Sequence, residues 1–259
     1  MAAASSAWYR LTVAYDGTGF HGWQIQPGVR TCQGELTRAL IRLTGEEPHL
    51  TAAGRTDAGA HAHGQVVGFG LRSSWRPEAL LGGCNAMLPA DIAVRGAAVA
   101  SPDFHPRWRA WRRSYRYLIS DGQGGGPLGR NYSWQIKDRL ELAPMRAAAR
   151  HLLGRHDFAA FGASPAPAQS SVRTVDRAEV ERSSGALLLE VRADAFLRGM
   201  MRGIAGALMA VGSGRARVED VERAVTDPTG PVPAWSSAPA RGLHQWRVEY
   251  RGPSTEMAS

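Results

Sequence analysis

The first half of the chain alternates between apolar runs and amphipathic stretches. Runs rich in β-branched and aromatic residues predict three strands, at 8–15, 65–71 and 92–100. Apolar residues recur with the spacing of a helix that has one buried face at Leu36, Ala39, Leu40 and Leu43. A second helix is predicted at 77–87, because its leading proline suits a first helical turn.

The second half repeats this layout. The pattern predicts strands at 114–119, 172–182, 186–193 and 243–250, and helices at 144–153, 196–211 and 218–225. Ser184-Gly185 predicts a hairpin turn between the second and third of these strands. Because both halves mix strands and helices with links of hairpin length, the pattern favours an antiparallel α+β architecture over a doubly wound parallel sheet.

Loop composition suggests how the chain is organised. A boundary at 101–105 would separate an N-terminal α+β half at 7–103 from a C-terminal half at 104–251. We expect flexible tails at 1–6 and 252–259. Stretches rich in Gly or Pro predict mobile loops at 121–127 and 164–168.

The net charge of +8 favours a polyanionic partner. Basic side chains release counterions from phosphates on binding, so nucleic acid is the expected partner. Of the 31 basic residues, 30 are arginine, and Ala, Gly and Pro are also abundant. This composition also reflects the coding bias of a GC-rich genome, which weakens the argument from charge alone.

Two observations bear on the compartment. No apolar run approaches the roughly 18 residues needed to span a bilayer, and residues 1–6 lack the basic start and apolar stretch of a signal peptide. Cys32 and Cys84 provide neither a disulfide framework nor metal-ligand spacing. We therefore expect a cytoplasmic protein with two buried, reduced thiols.

The densest group of reactive and hydrogen-bonding residues is Ala53-Gly-Arg-Thr-Asp-Ala-Gly-Ala-His-Ala-His-Gly-Gln65, which follows a predicted strand. Arg55 and Asp57 are two residues apart and can pair, which would keep the carboxylate ionised. An ionised carboxylate can act as a nucleophile, a base or a metal ligand. A surface turn is the alternative, because Asp-Ala-Gly is ordinary turn chemistry.

A zinc site is a second interpretation of the same run. His61 and His63 would share one face of a strand and could bind zinc, with Asp57 or His21 completing the site. The spacing is weak evidence, and no further Cys or His cluster lies nearby in the sequence. Structural or RNA-facing histidines are therefore the favoured interpretation.

Three further segments suit a ligand. The glycine-rich turn at 15–24 brings backbone amides and aromatic side chains together. Arginines are interleaved with aromatic residues through 104–117, which suits phosphates and unpaired bases. Arg198 and Arg202 are spaced i, i+4 on the predicted long helix, where Arg202 could hold a phosphate or a carboxylate. Ordinary structural or solvated roles remain open for each segment.

Taken together and in this order, these segments resemble the TruA family of tRNA pseudouridine synthases, from about Tyr9 to Tyr250. The most specific part is Gly54-Arg55-Thr56-Asp57-Ala58-Gly59, followed by His61-Ala62 and Gly64-Gln65-Val66. The other matching segments are Tyr15-Asp16-Gly17, Gly22-Trp23-Gln24, Asn85, Leu88-Pro89, Asp91-Ile92-Ala93-Val94, Tyr115-Arg116-Tyr117, Asp157-Phe158, Arg173-Thr174, Ala195-Phe196, Met201-Arg202 and Gly242-Leu243.

The resemblance implies two similar α/β-sandwich halves joined through a continuous antiparallel sheet, with a basic cleft between them. It implies a homodimer that isomerises uridines on the 3′ side of the tRNA anticodon stem-loop (positions 38-40), without a cofactor or a metal. Asp57 would be the nucleophile, paired with Arg55 and Arg202, and Tyr115 would stack on the uracil and help to remove the C5 proton. The residues implied to bind substrate are Tyr115, Arg55, Gln24, His61, Gln65, Phe196 and Arg198.

The chain departs from the family pattern at several RNA-facing or pocket-lining positions. Gly203 stands where Asn is expected, Gly162 where Arg is usual, and Gln245 where an apolar residue is usual. The run at 104–111 also lacks the usual Ser-Ala step. Two alternatives therefore remain open: a divergent synthase acting on another RNA or on a free uridine nucleotide, and a noncatalytic RNA-binding protein.

Overall fold

The chain divides into two units, each built from strands that are mainly antiparallel and from helices. The computed structural model describes residues 7–122, 126–163, 170–183, 185–227, 230–231 and 235–251. Unit 1 contains the described residues of 1–111 and 245–259, and unit 2 those of 112–244. The division follows residue 111, and most of the last strand belongs to unit 1. The predicted tails, residues 123–125 of the first predicted mobile loop, all of the second at 164–168, and Ser184 lie outside the described residues.

Unit 1 is organised around β1 (Ala7–Tyr15), which pairs antiparallel with β3 (His61–Leu71) and with β4 (Ile92–Ala100). The two-residue β2 (Thr51–Ala52) pairs with β3, and β10 (Leu243–Tyr250) also lies beside β3. This arrangement places the chain between β2 and β3 at the end of the sheet's central strands.

Two helices cover the sheet of unit 1. α1 (Cys32–Thr44) begins where the Thr31 hydroxyl accepts a hydrogen bond from Gly34 N, as an N-cap does. α2 (Pro77–Met87) packs against α1 and β4. Cys32 on α1 and Cys84 on α2 are fully buried in the core that the helices form with the sheet.

Unit 2 contains an antiparallel sheet in the order β5 (Ala110–Asp121), β9 (Ala186–Ala193), β8 (Val172–Ser183) and β7 (Gly154–Asp157). β6 (Trp134–Ile136) runs parallel beside β5. The described residues of unit 2 form three α-helices, which are α3 (Leu142–Arg150), α4 (Met200–Gly212) and α5 (Val218–Thr226). α3 packs against β8, α4 and α5, and α4 is buried along nearly its whole length. None of the described helices is long and apolar enough to cross a membrane.

The predicted α+β class with antiparallel strands is confirmed. The predicted start of the long helix is wrong, because α4 begins at Met200 and not at position 196. A turn closed by the hydrogen bond from Met200 N to Leu197 O (3.1 Å) precedes it and contains Gly199, whose φ of 75° lies in the left-handed region. A side chain rarely adopts that conformation, so glycine ends the turn and starts the helix. The short strands β2, β6 and β7 carry no sequence pattern that predicts them.

Candidate active site

Asp57 lies in the loop 53–60, which joins β2 to β3 in unit 1. The loop is held by its backbone on both sides of the half-buried carboxylate. Thr56 O accepts a hydrogen bond from Trp23 N (3.2 Å), and Asp57 O accepts one from Ala60 N (3.1 Å). The Thr56 hydroxyl is also bonded to the buried Tyr15 hydroxyl at 2.8 Å. Asp57 is therefore carried on backbone whose position is set by its neighbours.

The turn that contains Gly22 packs directly against this loop. Gly22 has a φ of 84°, and a Cβ atom there would lie 2.7 Å from Thr56 O. Both the left-handed backbone and the close approach require glycine. The sequence motif around Gly22 and the motif around Asp57 thus meet backbone to backbone.

His61 is buried below the loop, with 2% of its surface exposed. Its Nδ1 accepts a hydrogen bond from Gly17 N at 3.0 Å and lies 3.2 Å from Asp16 Oδ1. His61 thereby ties the turn after β1 to the start of β3.

Gln65 is fully buried on β3. Its Nε2 donates to Gly54 O at 2.6 Å, and its Oε1 accepts from Gln245 Nε2 on β10 at 3.3 Å. Of Gln65 and His61, both predicted to bind substrate, Gln65 therefore contacts the backbone of the Asp57 loop, and His61 contacts the turn after β1. The predicted substrate residue Gln24 is half-buried beside Trp23.

Arg55 has an exposed side chain, and its expected pairing with Asp57 stays a prediction. Arg55 and Asp57 lie on either side of the buried Thr56, so the exposed guanidinium faces solvent and can reach an anion there.

The two histidines of the zinc hypothesis lie in different surroundings. His61 is buried, whereas His63 is exposed and lies against the Trp246 ring, with 4.3 Å between ring centroids. In the part of the chain that the structure describes, no three His, Cys, Asp or Glu side chains are grouped as metal ligands. The zinc hypothesis therefore has no ligand set among these residues.

In unit 2, Tyr115 lies on β5 opposite Val191 and is 8% exposed. The Phe196 ring packs edge-on against it, with 4.6 Å between centroids. The segment that carries Phe196 is anchored by Asp194, whose Oδ1 accepts hydrogen bonds from Thr174 N (3.0 Å) and from Ala195 N (2.7 Å). Two aromatic residues that were separately predicted to bind substrate are thus in contact within one unit.

The spacing predicted that Arg198 and Arg202 lie on one side of a helix, and this prediction is wrong. Arg198 precedes α4 and is exposed, while Arg202 lies in the first turn of α4. Arg202 Nε donates to Ala238 O at 2.6 Å, and Arg202 O accepts from Ala238 N at 3.0 Å. These two bonds fix the stem of Arg202 to the segment before β10.

The departure at Gly203 has a packing reason. A Cβ atom at this position would lie 1.9 Å from Phe161 O, so α4 approaches that carbonyl more closely than any other residue type allows.

The Tyr117 hydroxyl donates to Pro239 O at 2.7 Å. Burial raises the pKa of Tyr117 well above its usual value, although the charges of Arg202 and Arg241 oppose the increase.

Sequence reasoning assigned no role to three residues that support these groups. Tyr15 and Thr56 lay within quoted motifs, and their mutual hydrogen bond follows only from the folded turn. Gln245 was noted as a departure, without any indication that it contacts Gln65.

Known proteins match most of this chain. Residues 148–251 match the family model described as tRNA pseudouridine synthase. A protein of Geobacter sulfurreducens named tRNA pseudouridine synthase A is 43% identical over 93% of this chain and 98% of its own length. The chain belongs to the tRNA pseudouridine synthase family.

Other members of the family show the same extent of similarity. Proteins with the same name from Moorella thermoacetica and Methylobacterium nodulans are both 42% identical over 93% of this chain, and the matches cover 98% and 95% of their lengths. A solved structure titled "Crystal Structure of a Cbf5-Nop10-Gar1 Complex" aligns with a TM-score of 0.35 at 12% identity, over 95% of this chain and 59% of that one. That likeness is too weak to carry an argument.

Proposed function

We propose that the protein isomerises uridine to pseudouridine in tRNA, on the 3′ side of the anticodon stem-loop, with Asp57 as the nucleophile. The observation that supports this most strongly is the 43% identity to a family member across 93% of the chain. The loop that carries Asp57 adds to it, because that loop is held by several hydrogen bonds while the carboxylate keeps part of its surface exposed.

The reaction rearranges bonds without changing composition. The N1–C1′ glycosidic bond breaks, the base turns, and a C5–C1′ bond forms, while the proton lost from C5 is balanced by one gained at N1. A carboxylate can add to the sugar or to the base, or can assist elimination at the sugar, and each route returns Asp57 unchanged. No electrons are gained or lost, so the residues of the chain suffice for the chemistry.

The remaining residues are proposed to bind and orient the uridine. Tyr115, buried except for 8% of its surface, is proposed to stack on the uracil and to help remove the C5 proton. Arg202, whose stem is fixed by Ala238, is proposed to pair with Asp57. The exposed Arg55 is proposed to hold the displaced RNA strand through its phosphates.

The RNA must deform for the base to reach these residues. A uridine in a stem leaves its stack at a cost of a few kcal/mol, which phosphate contacts along a basic protein can offset. Phe196 and Arg198 are proposed to contact the flipped nucleotide or its neighbours, and Gln24 to contact the RNA beside the Asp57 loop.

We further propose a cytoplasmic homodimer that needs no cofactor, as the family resemblance implies. Light scattering of the purified protein tests the dimer.

The test compares wild-type protein with Asp57→Asn on unmodified tRNA and, separately, on UMP. Pseudouridine is quantified by mass spectrometry after derivatisation. We expect product from tRNA alone, and a rate at least about 10⁴-fold lower for Asp57→Asn, the scale seen when a nucleophile is removed. Glu47→Gln removes one negative charge from an exposed residue of the same unit and should keep the wild-type rate.

Each other outcome has a definite meaning. Product from UMP alone would replace tRNA by a free nucleotide as the substrate. Full activity of Asp57→Asn would show that the nucleophile is assigned wrongly. Tight tRNA binding that weakens steeply with salt, without product from either substrate, would identify a binding protein instead.

A further inference from the structure

A chain of two hydrogen bonds links β10 to the backbone of the Asp57 loop. Gln245 Nε2 on β10 donates to Gln65 Oε1 on β3 (3.3 Å), and Gln65 Nε2 donates to Gly54 O (2.6 Å). Both glutamine side chains are fully buried. Gly54 lies three residues before Asp57, so the chain ends on the backbone that enters the reactive loop.

The order of donors and acceptors in this chain is fixed by its last member. Gly54 O can only accept, so the NH₂ group of Gln65 has to face it, and the Gln65 carbonyl faces the other way. A donor is then needed on the far side to hold the amide in this orientation. Gln245 supplies that donor. If the Gln65 amide turned over, two carbonyl oxygens would face each other at Gly54 and both hydrogen bonds would be lost.

The other end of Gln245 has no such partner. Its Oε1 is buried, and no residue in the described part of the chain donates a hydrogen bond to it. A buried carbonyl without a donor costs free energy, and an apolar side chain of similar size at this position would avoid that cost. Leucine would remove this carbonyl but would leave the buried Gln65 Oε1 without its donor, so the two residues should stabilise unit 1 to a similar extent.

We infer that Gln245 is a positioning residue for the uridine isomerisation, an inference that rests on the proposed function. Gln245 orients the Gln65 amide, the amide holds Gly54, and Gly54 sets the entry of the loop that places Asp57. The glutamine contributes to the rate through this placement, although its own burial is unfavourable.

The inference predicts that Gln245→Leu lowers the reaction rate without a matching loss of stability. The variant removes one unpartnered carbonyl, that of Gln245, and leaves another, that of Gln65, so the melting temperature should stay close to the wild-type value. Losing the donor to Gln65 lowers the single-turnover rate constant on tRNA about fivefold to tenfold, the effect of one neutral hydrogen bond, while the Kd for tRNA stays unchanged. Gln65→Met should slow the reaction similarly, and the double variant should be no slower than Gln65→Met alone.

Gln33 provides a matched control. It is another buried glutamine of unit 1, but both ends of its amide are bonded: Oε1 accepts from Ile25 N (3.2 Å) and Nε2 donates to Leu50 O (3.2 Å). Gln33→Leu should therefore lower the melting temperature, in contrast to Gln245→Leu.

The outcomes separate this inference from the proposed function. Wild-type protein that forms no pseudouridine would refute the proposed function and leave nothing for Gln245 to position. Active wild-type protein with an equally fast Gln245→Leu variant would refute the positioning role alone. A slow Gln245→Leu variant whose melting temperature falls like that of Gln33→Leu would also refute it, because general destabilisation would then explain the loss.

Discussion

The two units bury polar groups in different ways. Around Asp57, unit 1 uses neutral groups: hydroxyl to hydroxyl between Tyr15 and Thr56, and amide to carbonyl between Gln65 and Gly54. Unit 2 also contains an ion pair with a buried carboxylate. Asp121 at the end of β5 has a fully buried side chain that accepts two hydrogen bonds from Arg182 on β8, at 2.5 and 2.8 Å.

The ion pair of unit 2 is completed by backbone groups. Leu140 N donates to Asp121 Oδ2 (2.8 Å), and Arg182 also donates to Leu140 O (3.1 Å). The hydrogen bonds from Arg182 lower the pKa of Asp121 below its usual value, although burial opposes the shift.

The ion pair of unit 2 and the neutral hydrogen bonds around Asp57 should therefore affect different measured properties. A buried charge whose partner is removed destabilises the fold strongly, whereas a neutral hydrogen bond contributes only about 1 kcal/mol and does not titrate. Substitutions in the ion pair should therefore change the free energy of unfolding. Substitutions around the Asp57 loop should change the reaction rate more than their cost in stability explains.

The largest effect on stability is expected for Arg182→Met. The variant leaves Asp121 buried without its partner and should lower the free energy of unfolding by about 3–5 kcal/mol in urea titrations at pH 7. Arg223→Met, which removes an exposed ion pair with Asp220 on α5, should cost less than about 1 kcal/mol. Equal losses in the two variants would contradict the contrast between buried and exposed pairs.

The same comparison should depend on pH in a defined direction. Because the folded-state pKa of Asp121 is lowered, its contribution is fully present above the unfolded value of about 3.9 and is lost as pH falls through the folded value. The difference in melting temperature between wild type and Arg182→Met should therefore be full at pH 7 and shrink below about pH 4. A difference that is constant with pH would show that the charge of Asp121 is not responsible.

Gly22→Ala should have the next largest effect. The new Cβ requires a strained backbone at φ 84° and pushes on Thr56 O, so we expect a loss of about 2–3 kcal/mol and a rate on tRNA at least about tenfold lower. Gly28→Ala is a matched control, since Gly28 also has a positive φ (74°) but no atom near its Cβ position. It should cost about 1–2 kcal/mol and leave the rate unchanged. Similar rates for both variants would show that the turn at Gly22 does not position Asp57.

Tyr15→Phe should have the smallest effect. It removes the hydrogen bond to Thr56 and should cost about 1 kcal/mol, with a rate about fivefold lower. Tyr9→Phe removes hydroxyl contacts with the Trp75 backbone in the same core and should cost a similar amount of stability without a change in rate. A rate loss in both variants would break the proposed distinction between the loop and the rest of unit 1.

Local patterns predicted most of this fold, but not the contacts that support the site. Helix α2 was predicted with its exact bounds, because a leading proline and a continuous apolar pattern mark it. The start of α4 was missed, since Phe196 and Leu197 continue the apolar pattern into a turn that only the backbone of Gly199 reveals. The motif around Asp57 predicted the loop that is proposed to carry the nucleophile.

The contact between Gln245 and Gln65 could not be predicted from the sequence. The two residues are 180 positions apart, and no periodicity indicates a contact over that distance. Likewise, Arg55 and Asp57 are close in sequence, but the buried Thr56 between them is bonded to Tyr15, and Arg55 turns to solvent.

The two buried cysteines allow the local unfolding of unit 1 to be measured separately from that of unit 2. Burial raises the pKa of the Cys84 thiol to about 11 and that of Cys32 further still, so neither is a thiolate at neutral pH in the folded protein. An alkylating reagent can react only after the helices α1 and α2 separate from their sheet. Because unit 2 contains no cysteine, the rate of alkylation measures how often unit 1, which carries Asp57, opens.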